Sequence, residues 1–131
     1  MDTRSRNIQL VRRMFRLRET GDIEEAVSFY AEDAENRPIT IDRVLRGRDA
    51  IRRFLEDTAA SGTVLEASTF RFEANEAGQV AVFGRLRTRG REGITDIPAA
   101  WIYTIGPDGM VVRAEGFRST SEAEEAFARG A

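Results

Sequence analysis

PAAWIYTIGPDGMVVRAEGF, residues 98–117, is the stretch that decides the fold class. Its first half is apolar on both faces: Ala99, Trp101 and Tyr103 alternate with Ala100 and Ile102, and Ile97 continues the pattern upstream. Gly106-Pro107-Asp108-Gly109 is a strong turn signal, and an alternating run resumes after it. The reading is a hairpin of strands over residues 95–105 and 110–118. Upstream, Gly90–Gly93 and Glu76-Ala77-Gly78 punctuate two more strands, over residues 79–89 and 63–75, the latter with Phe70 and Phe72 on one face. Further back the period changes. Ile8, Val11, Met14, Phe15 and Leu17 recur at helical spacing with arginines between them, which predicts an amphipathic helix over residues 4–19. Gly21 stops it. Asp22, with Glu25 three positions on, caps a second helix over 23–30 whose apolar face is Ile23, Ala26, Val27 and Tyr30. Residues 34–38 read as extended and 39–47 as a loop. A third helix covers 48–58 with Ile51, Phe54 and Leu55 inward, and a short last helix, capped within Ser119–Ser121, runs to 128. Helices followed by an antiparallel meander make an α+β fold, a single domain over residues 1–131. A strand apolar on both faces in so short a chain predicts a partner subunit over the outer face of the sheet.

The composition removes whole classes of chemistry. The 131 residues are 41% apolar and 32% charged, and contain no Cys and no His. Disulfides, thiolate nucleophiles, the Ser-His-Asp triad and the usual zinc ligands are excluded. All 20 basic residues are Arg, which excludes Schiff-base lysines and the phosphate-loop lysine, and points to a GC-rich coding genome of bacterial type. A net charge of −2 argues against nucleic acid as a partner. No apolar run approaches the length of a membrane span and the first ten residues lack the apolar stretch of a secretory signal, so a cytoplasmic protein without a membrane partner is expected. No carboxylate set has metal-ligand spacing and no glycine motif for a nucleotide appears, so neither metal nor cofactor is expected.

Helix, Gly21-Asp22, helix, FYAEDAE (29–35), GRDAIRRFL (47–55), long strands and the 98–117 hairpin, in this order and spacing, resemble the SnoaL-like members of the nuclear transport factor 2-like superfamily. The resemblance covers essentially the whole chain. It implies a cone in which a curved antiparallel sheet wraps a long helix around an apolar pocket, and a homodimer through the sheet. The fold hosts many functions, so activity is read residue by residue.

Three enzyme types on this fold offer templates. The ketosteroid isomerase type needs a helix Tyr, an Asp base and a protonated strand Asp. Met14, Arg37 and Ala100 stand at those places, and that chemistry is argued against. The polyketide cyclase type uses an acid/base Asp on the last strand, where Glu115 or its neighbour Gly116 falls. The limonene-epoxide hydrolase type matches best. In AENRP, Asn36 stands at the water-holding Asn and Ala34 at the Tyr. In GRLR, Arg85 stands at the Arg and Arg87 at the general acid, and Glu115 stands at the base. The resemblance thus implies Glu115 as base, Arg85 as its orienting partner, Asn36 as water or ligand holder, and Arg87 as an electrostatic stabiliser of a developing alkoxide. Trp101, Tyr103, Phe83, Phe117 and Met14 are the expected walls of a pocket for a hydrophobic terpenoid-, steroid- or polyketide-like molecule.

Each assignment has a plain structural counterpart. Glu115 can be one half of a surface ion pair with Arg85, Arg87 or Arg113. Arg85, Arg87, Arg89 and Arg91 share one strand face opposite Val80, Val82 and Leu86. If that face is solvated, the valines point inward and Arg85 leaves the pocket. Ala81 and Phe83, on the same face, favour the inward reading. With the Tyr and the acid both replaced, a non-catalytic ligand-binding or dimerisation module is the alternative to an enzyme of hydrolase, isomerase or cyclase type.

Overall fold

The structure, a computed structural model, describes residues 2–130. Helix α1 (Thr3–Thr20) opens on Asp2, whose carboxylate accepts the Ser5 N–H, and closes on Gly21. Gly21 adopts the left-handed region (φ 74°) and returns its N–H to the Leu17 carbonyl, the termination glycine favours. Helix α2 (Ile23–Ser28) is capped by Asp22, which accepts from the Glu25 N–H at 3.0 Å. Strand β1 (Tyr30–Arg37), the short β2 (Leu45–Arg46) and helix α3 (Arg48–Ala60) follow. Strands β3 (Val64–Ala74), β4 (Gln79–Gly90), β5 (Gly93–Ile105) and β6 (Val111–Phe117) form the meander, and α4 (Thr120–Gly130) ends the described chain.

The six strands make one open sheet in the order β2-β1-β6-β5-β4-β3. The β1–β6 pair is parallel and the rest are antiparallel. The α+β fold, with helices packed on a largely antiparallel sheet, is the one expected. Two local readings change. The second helix stops before Tyr30, because the Phe29 carbonyl accepts the Val111 N–H at 2.8 Å and Tyr30 enters the ladder opposite Val111. A six-residue helix has little intrinsic stability, so tertiary pairing wins there. The expected 39–47 loop contains β2, whose Leu45 and Arg46 pair with Asn36 and Glu35.

The inner face of the sheet carries Val80, Val82, Leu86, Ala99, Trp101, Tyr103 and Ala114, packed against Val11, Met14 and Phe15 of α1, Val27 of α2 and Ile51 of α3. The Phe15 ring meets Trp101 edge-on at 5.1 Å and Tyr103 at 5.9 Å. Truncating Phe15 to Ala would cost about 3–5 kcal/mol by the usual cost of an aromatic core truncation. Gly84 has a steric role. A Cβ there would stand 1.9 Å from the Ser68 carbonyl, where β3 bulges between Thr69 and Arg71.

The outer face holds a second cluster, in which Ala81, Phe83, Ala100 and Ile102 pack with Ala123 of α4, and with Phe117, Ala126 and Phe127. The second apolar face of β5 is therefore covered by this chain's own last helix. That burial no longer calls for a partner subunit. Among the described residues no helix is long and apolar enough to cross a membrane.

Candidate functional site

A cavity of about 260 Å³ lies between the three N-terminal helices and the inner face of the sheet. Met14, Leu17 and Arg18 reach it from α1, Ile23 and Ala26 from α2, Ile51 and Leu55 from α3, and Trp101 and Tyr103 from β5. The loop after β1 closes one end with Pro38, Ile39 and Thr40. Gly116 permits that closure, since a Cβ on it would lie 2.4 Å from Ile39 Cγ1. The Arg118 guanidinium holds the loop by donating to the Ile39 carbonyl at 3.2 Å.

Most of this wall is apolar, and its polar groups converge. Asn36 Nδ2 donates to the Tyr30 hydroxyl oxygen at 3.4 Å. An Arg18 terminal nitrogen donates to the Tyr103 hydroxyl oxygen at 3.1 Å. Both phenols are buried (Tyr30 6% exposed, Tyr103 2%). Each accepts a hydrogen bond, and among the described residues neither hydroxyl proton has an acceptor. Both protons are thus free for a ligand oxygen. Burial pushes the Tyr30 phenol well above its ordinary pKa. The neighbouring Tyr103 adds to the rise and the Arg18 charge opposes it. Tyr30 is therefore a neutral donor at any ordinary pH.

The strand register explains the convergence. Asn36 of β1 and Tyr103 of β5 are both in register with Ala114 of β6, so one row on the inner face reads Asn36, Ala114, Tyr103. The next row, Arg37, Glu115, Ile102, must face the other way, because strand side chains alternate. Arg18 follows Val11, Met14 and Phe15 at helical spacing, which sets it at the inward edge of α1. Its guanidinium lies 4.5 Å from the Phe15 ring centre and 5.6 Å from that of Trp101.

The expected site residues divide between the two faces. Asn36, Met14, Trp101 and Tyr103 line the cavity. Glu115 lies on the outer face beside Ile102 and is paired with Arg113 at 3.3 Å. Arg85 is exposed on that face and donates to Asp96 at 2.8 Å. Arg87 is exposed beside it, in register with Asp96. Phe83 packs on the outer cluster with Arg71 over its ring, and Phe117 borders the same cluster. Glu115, Arg85 and Asn36 are therefore not brought together. For Arg85 the cause is the face of β4, where Val80, Val82 and Leu86 point inward and the arginines form the solvated face; for Glu115 it is the register of β6.

Tyr30, Arg18 and Asp22 are cavity residues that the sequence reading missed. The helical pattern puts Tyr30 on a helix face, and the register shift in β1 between Tyr30 and Glu35 breaks the alternation that could lead back to it from Asn36. Arg18 is visible as the continuation of the Val11, Met14, Phe15 stripe. Asp22 is the one carboxylate on the wall, and one of its oxygens is occupied by the α2 cap. Among the described residues no group of three or more acidic, His or Cys side chains is placed to hold a metal.

Several solved structures share this fold. The epoxide hydrolase/cyclase-like enzyme SalBIII, which has a role in pyran ring formation in the polyether salinomycin, superposes with a TM-score of 0.73 at 21% identity, over 89% of this chain and 93% of that one. A protein from Xanthomonas campestris pv. campestris, described as a candidate polyketide cyclase, gives 0.78 at 19% identity, over 99% and 100%. The Mycobacterium tuberculosis protein RV0760c, in complex with estradiol-17beta-hemisuccinate, gives 0.74 at 14% identity, over 88% and 95%. At these identities the likeness is one of fold. Comparison with curated proteins gives no significant match. The sequence itself matches the SnoaL-like domain over residues 11–114. Together with the open sheet, the capped helix pair and the inner cavity, that match makes this chain a member of the SnoaL-like domain family.

Proposed function

We propose that the chain binds a small, mostly apolar molecule in the inner cavity and acts on an oxygen of that molecule through Tyr30, Tyr103 and Asn36. The observation that carries this reading is the pair of buried phenols. Each already accepts a hydrogen bond, from Asn36 or from Arg18, so each directs its own proton to a ligand. Neutral donors in a dry wall stabilise charge that develops on a carbonyl, epoxide or alkoxide oxygen far better than the same donors in water. That is the acid half of a hydrolase-, isomerase- or cyclase-like reaction, and the family and the cyclase- and epoxide hydrolase-like neighbours support a role of that kind. Asp22 is the one carboxylate on the wall available for the base half.

The volume bounds the ligand. At about 260 Å³ the cavity falls just below the roughly 300–1,000 Å³ usual for drug-sized ligands, which favours one- or two-ring terpenoid or polyketide-like molecules over a four-ring steroid. The test is a thermal-shift series of one- and two-ring ketones, epoxides, diols and matched hydrocarbons. A ligand at 100 times its Kd adds about 2.7 kcal/mol, several degrees for a domain of this size. The oxygenated members should raise Tm in the wild type and lose most of that shift in Tyr103→Phe. Equal shifts for hydrocarbon and ketone would contradict an oxygen-directed site. A second reading, a binding module without turnover, is favoured by the occupied cap oxygen of Asp22. Binding without consumption of any epoxide or enone would select it.

A further inference from the structure

Arg18 is the one cationic side chain among the described residues that line the cavity, and it stands at the cavity's wet end. Tyr30 is buried, while Arg18 is exposed where α1 ends. On the same helix Arg12 lies over the Phe72 ring at 4.6 Å but outside the cavity. Arg4 pairs with Glu76 at 2.7 Å and Arg13 with Glu25 at 3.1 Å. Arg18 meets two ring faces and a neutral phenol oxygen, and among the described residues no carboxylate lies within ion-pair distance of it. The guanidinium lies over the Phe15 and Trp101 rings, and cation–π attraction to both restricts where it can sit. One of its five N–H donors goes to Tyr103, and the others remain for a second oxygen. A planar fork held in this way matches the two oxygens of a carboxylate. Asp22, the wall's own carboxylate, does not quench the cation. It lies beyond ion-pair distance and one of its oxygens caps α2.

We infer that the natural ligand is an apolar carboxylic acid, bound as its anion, with the carboxylate on Arg18 and Tyr103 at the mouth and the apolar body running inward toward Tyr30 and Asn36. The inference rests on the cavity reading given above and narrows its ligand class. Arg18 is then a specificity-determining residue. It selects the anion over the neutral ester or alcohol of the same shape, and Tyr103 orients it by accepting a hydrogen bond from one of its N–H groups.

The test uses the whole chain and three probes of one shape: cyclohexanebutyrate, its methyl ester, and cyclohexanebutanol. Kd is read by calorimetry and by the emission of Trp101, the single tryptophan, which stands on the cavity wall. The wild type should bind the carboxylate at least about tenfold more tightly than the ester or the alcohol, as a charge-assisted hydrogen bond implies. Arg18→Gln should bind all three alike, at the Kd of the alcohol. A tenfold preference that persists in Arg18→Gln overturns the inference, because the anion is then held elsewhere. Binding of ester and alcohol, weakened by Tyr103→Phe, with no preference for the acid in the wild type, also overturns it while leaving the cavity reading in place. Binding of none of the three overturns both.

Discussion

Asn36 of β1 and Tyr103 of β5 face each other across Ala114 of β6, all in register on the inner face of the sheet. With strands about 4.8 Å apart, the two backbones stand about 10 Å from one another. Ala114 between them is buried in the core behind the polar end of the cavity, not on its wall. Ala114→Leu should push a larger side chain toward that end. Ligand binding should fall by more than about tenfold, while overpacking costs about 1–3 kcal/mol of stability, read by denaturant titration. Unchanged affinity in a folded Ala114→Leu protein would place the ligand away from this row.

Tyr103→Phe separates the hydroxyl from the ring. The ring contact with Phe15 stays, and the Arg18 donor loses its acceptor. Stability should change by about 1 kcal/mol or less, since the released guanidinium is solvent-accessible and can find water. Affinity for an oxygenated ligand should drop about tenfold or more. A large loss of stability with intact affinity would make the hydroxyl a structural group.

How far the sequence reaches is clearest at β4 and β1. The helices, the Asp22 cap, the Gly21 stop and the four meander strands follow local rules of period and turn chemistry and are legible; the Asp2 cap of α1 appears only in the structure. The inward face of β4 was not. Ala81 and Phe83 share a face with Arg85 and Arg87, and local pattern cannot tell that α4 returns to cover the first pair while the second stays in solvent. At β1 the obstacle was non-local too. Tyr30 satisfies a helical pattern, and only its pairing with Val111 draws it into the sheet. Asn36 reached the cavity wall through the family resemblance, and Met14, Trp101 and Tyr103 as expected pocket walls of that same fold. Glu115 and Asn36 are separated by a single step of register.

Glu115→Gln and Arg85→Gln follow from that separation. Each breaks an exposed or half-exposed ion pair on the outer face, Glu115–Arg113 or Arg85–Asp96. The expected change in stability is within about 0.5 kcal/mol, and ligand affinity in the cavity should be unaltered. Loss of affinity in either variant, with Tm unchanged, would bring the outer face into the site.

The buried Tyr30 phenol gives a pH signature. Its pKa in the folded chain is raised, chiefly by burial, above the value of about 10 of the unfolded chain. The stability from its neutral burial is therefore complete below about pH 10 and declines as pH rises toward the folded pKa. The slope approaches about 1.4 kcal/mol per pH unit once the unfolded phenol is ionised. Tyr30→Phe should remove this component, so wild-type stability should fall relative to that of the variant between about pH 10 and 11.5. Parallel curves across that range would mean that Tyr30 ionises freely in the folded protein.

On the proposed function, the ligand sits on the inner face of the sheet, in the cavity walled by Tyr103, Asn36 and Trp101. The most direct measurement follows the Asn36 side-chain amide and the Trp101 indole N–H by NMR during titration with cyclohexanebutyrate, with the Gly116 and Phe117 backbone amides read alongside. Asn36 and Trp101 should shift together along one saturation curve, and the same titration of Tyr103→Phe should require about tenfold more ligand. Shifts gathered on Phe117 and the first turn of α4, with Asn36 and Trp101 stationary, would contradict it and move the site to the outer face of the sheet.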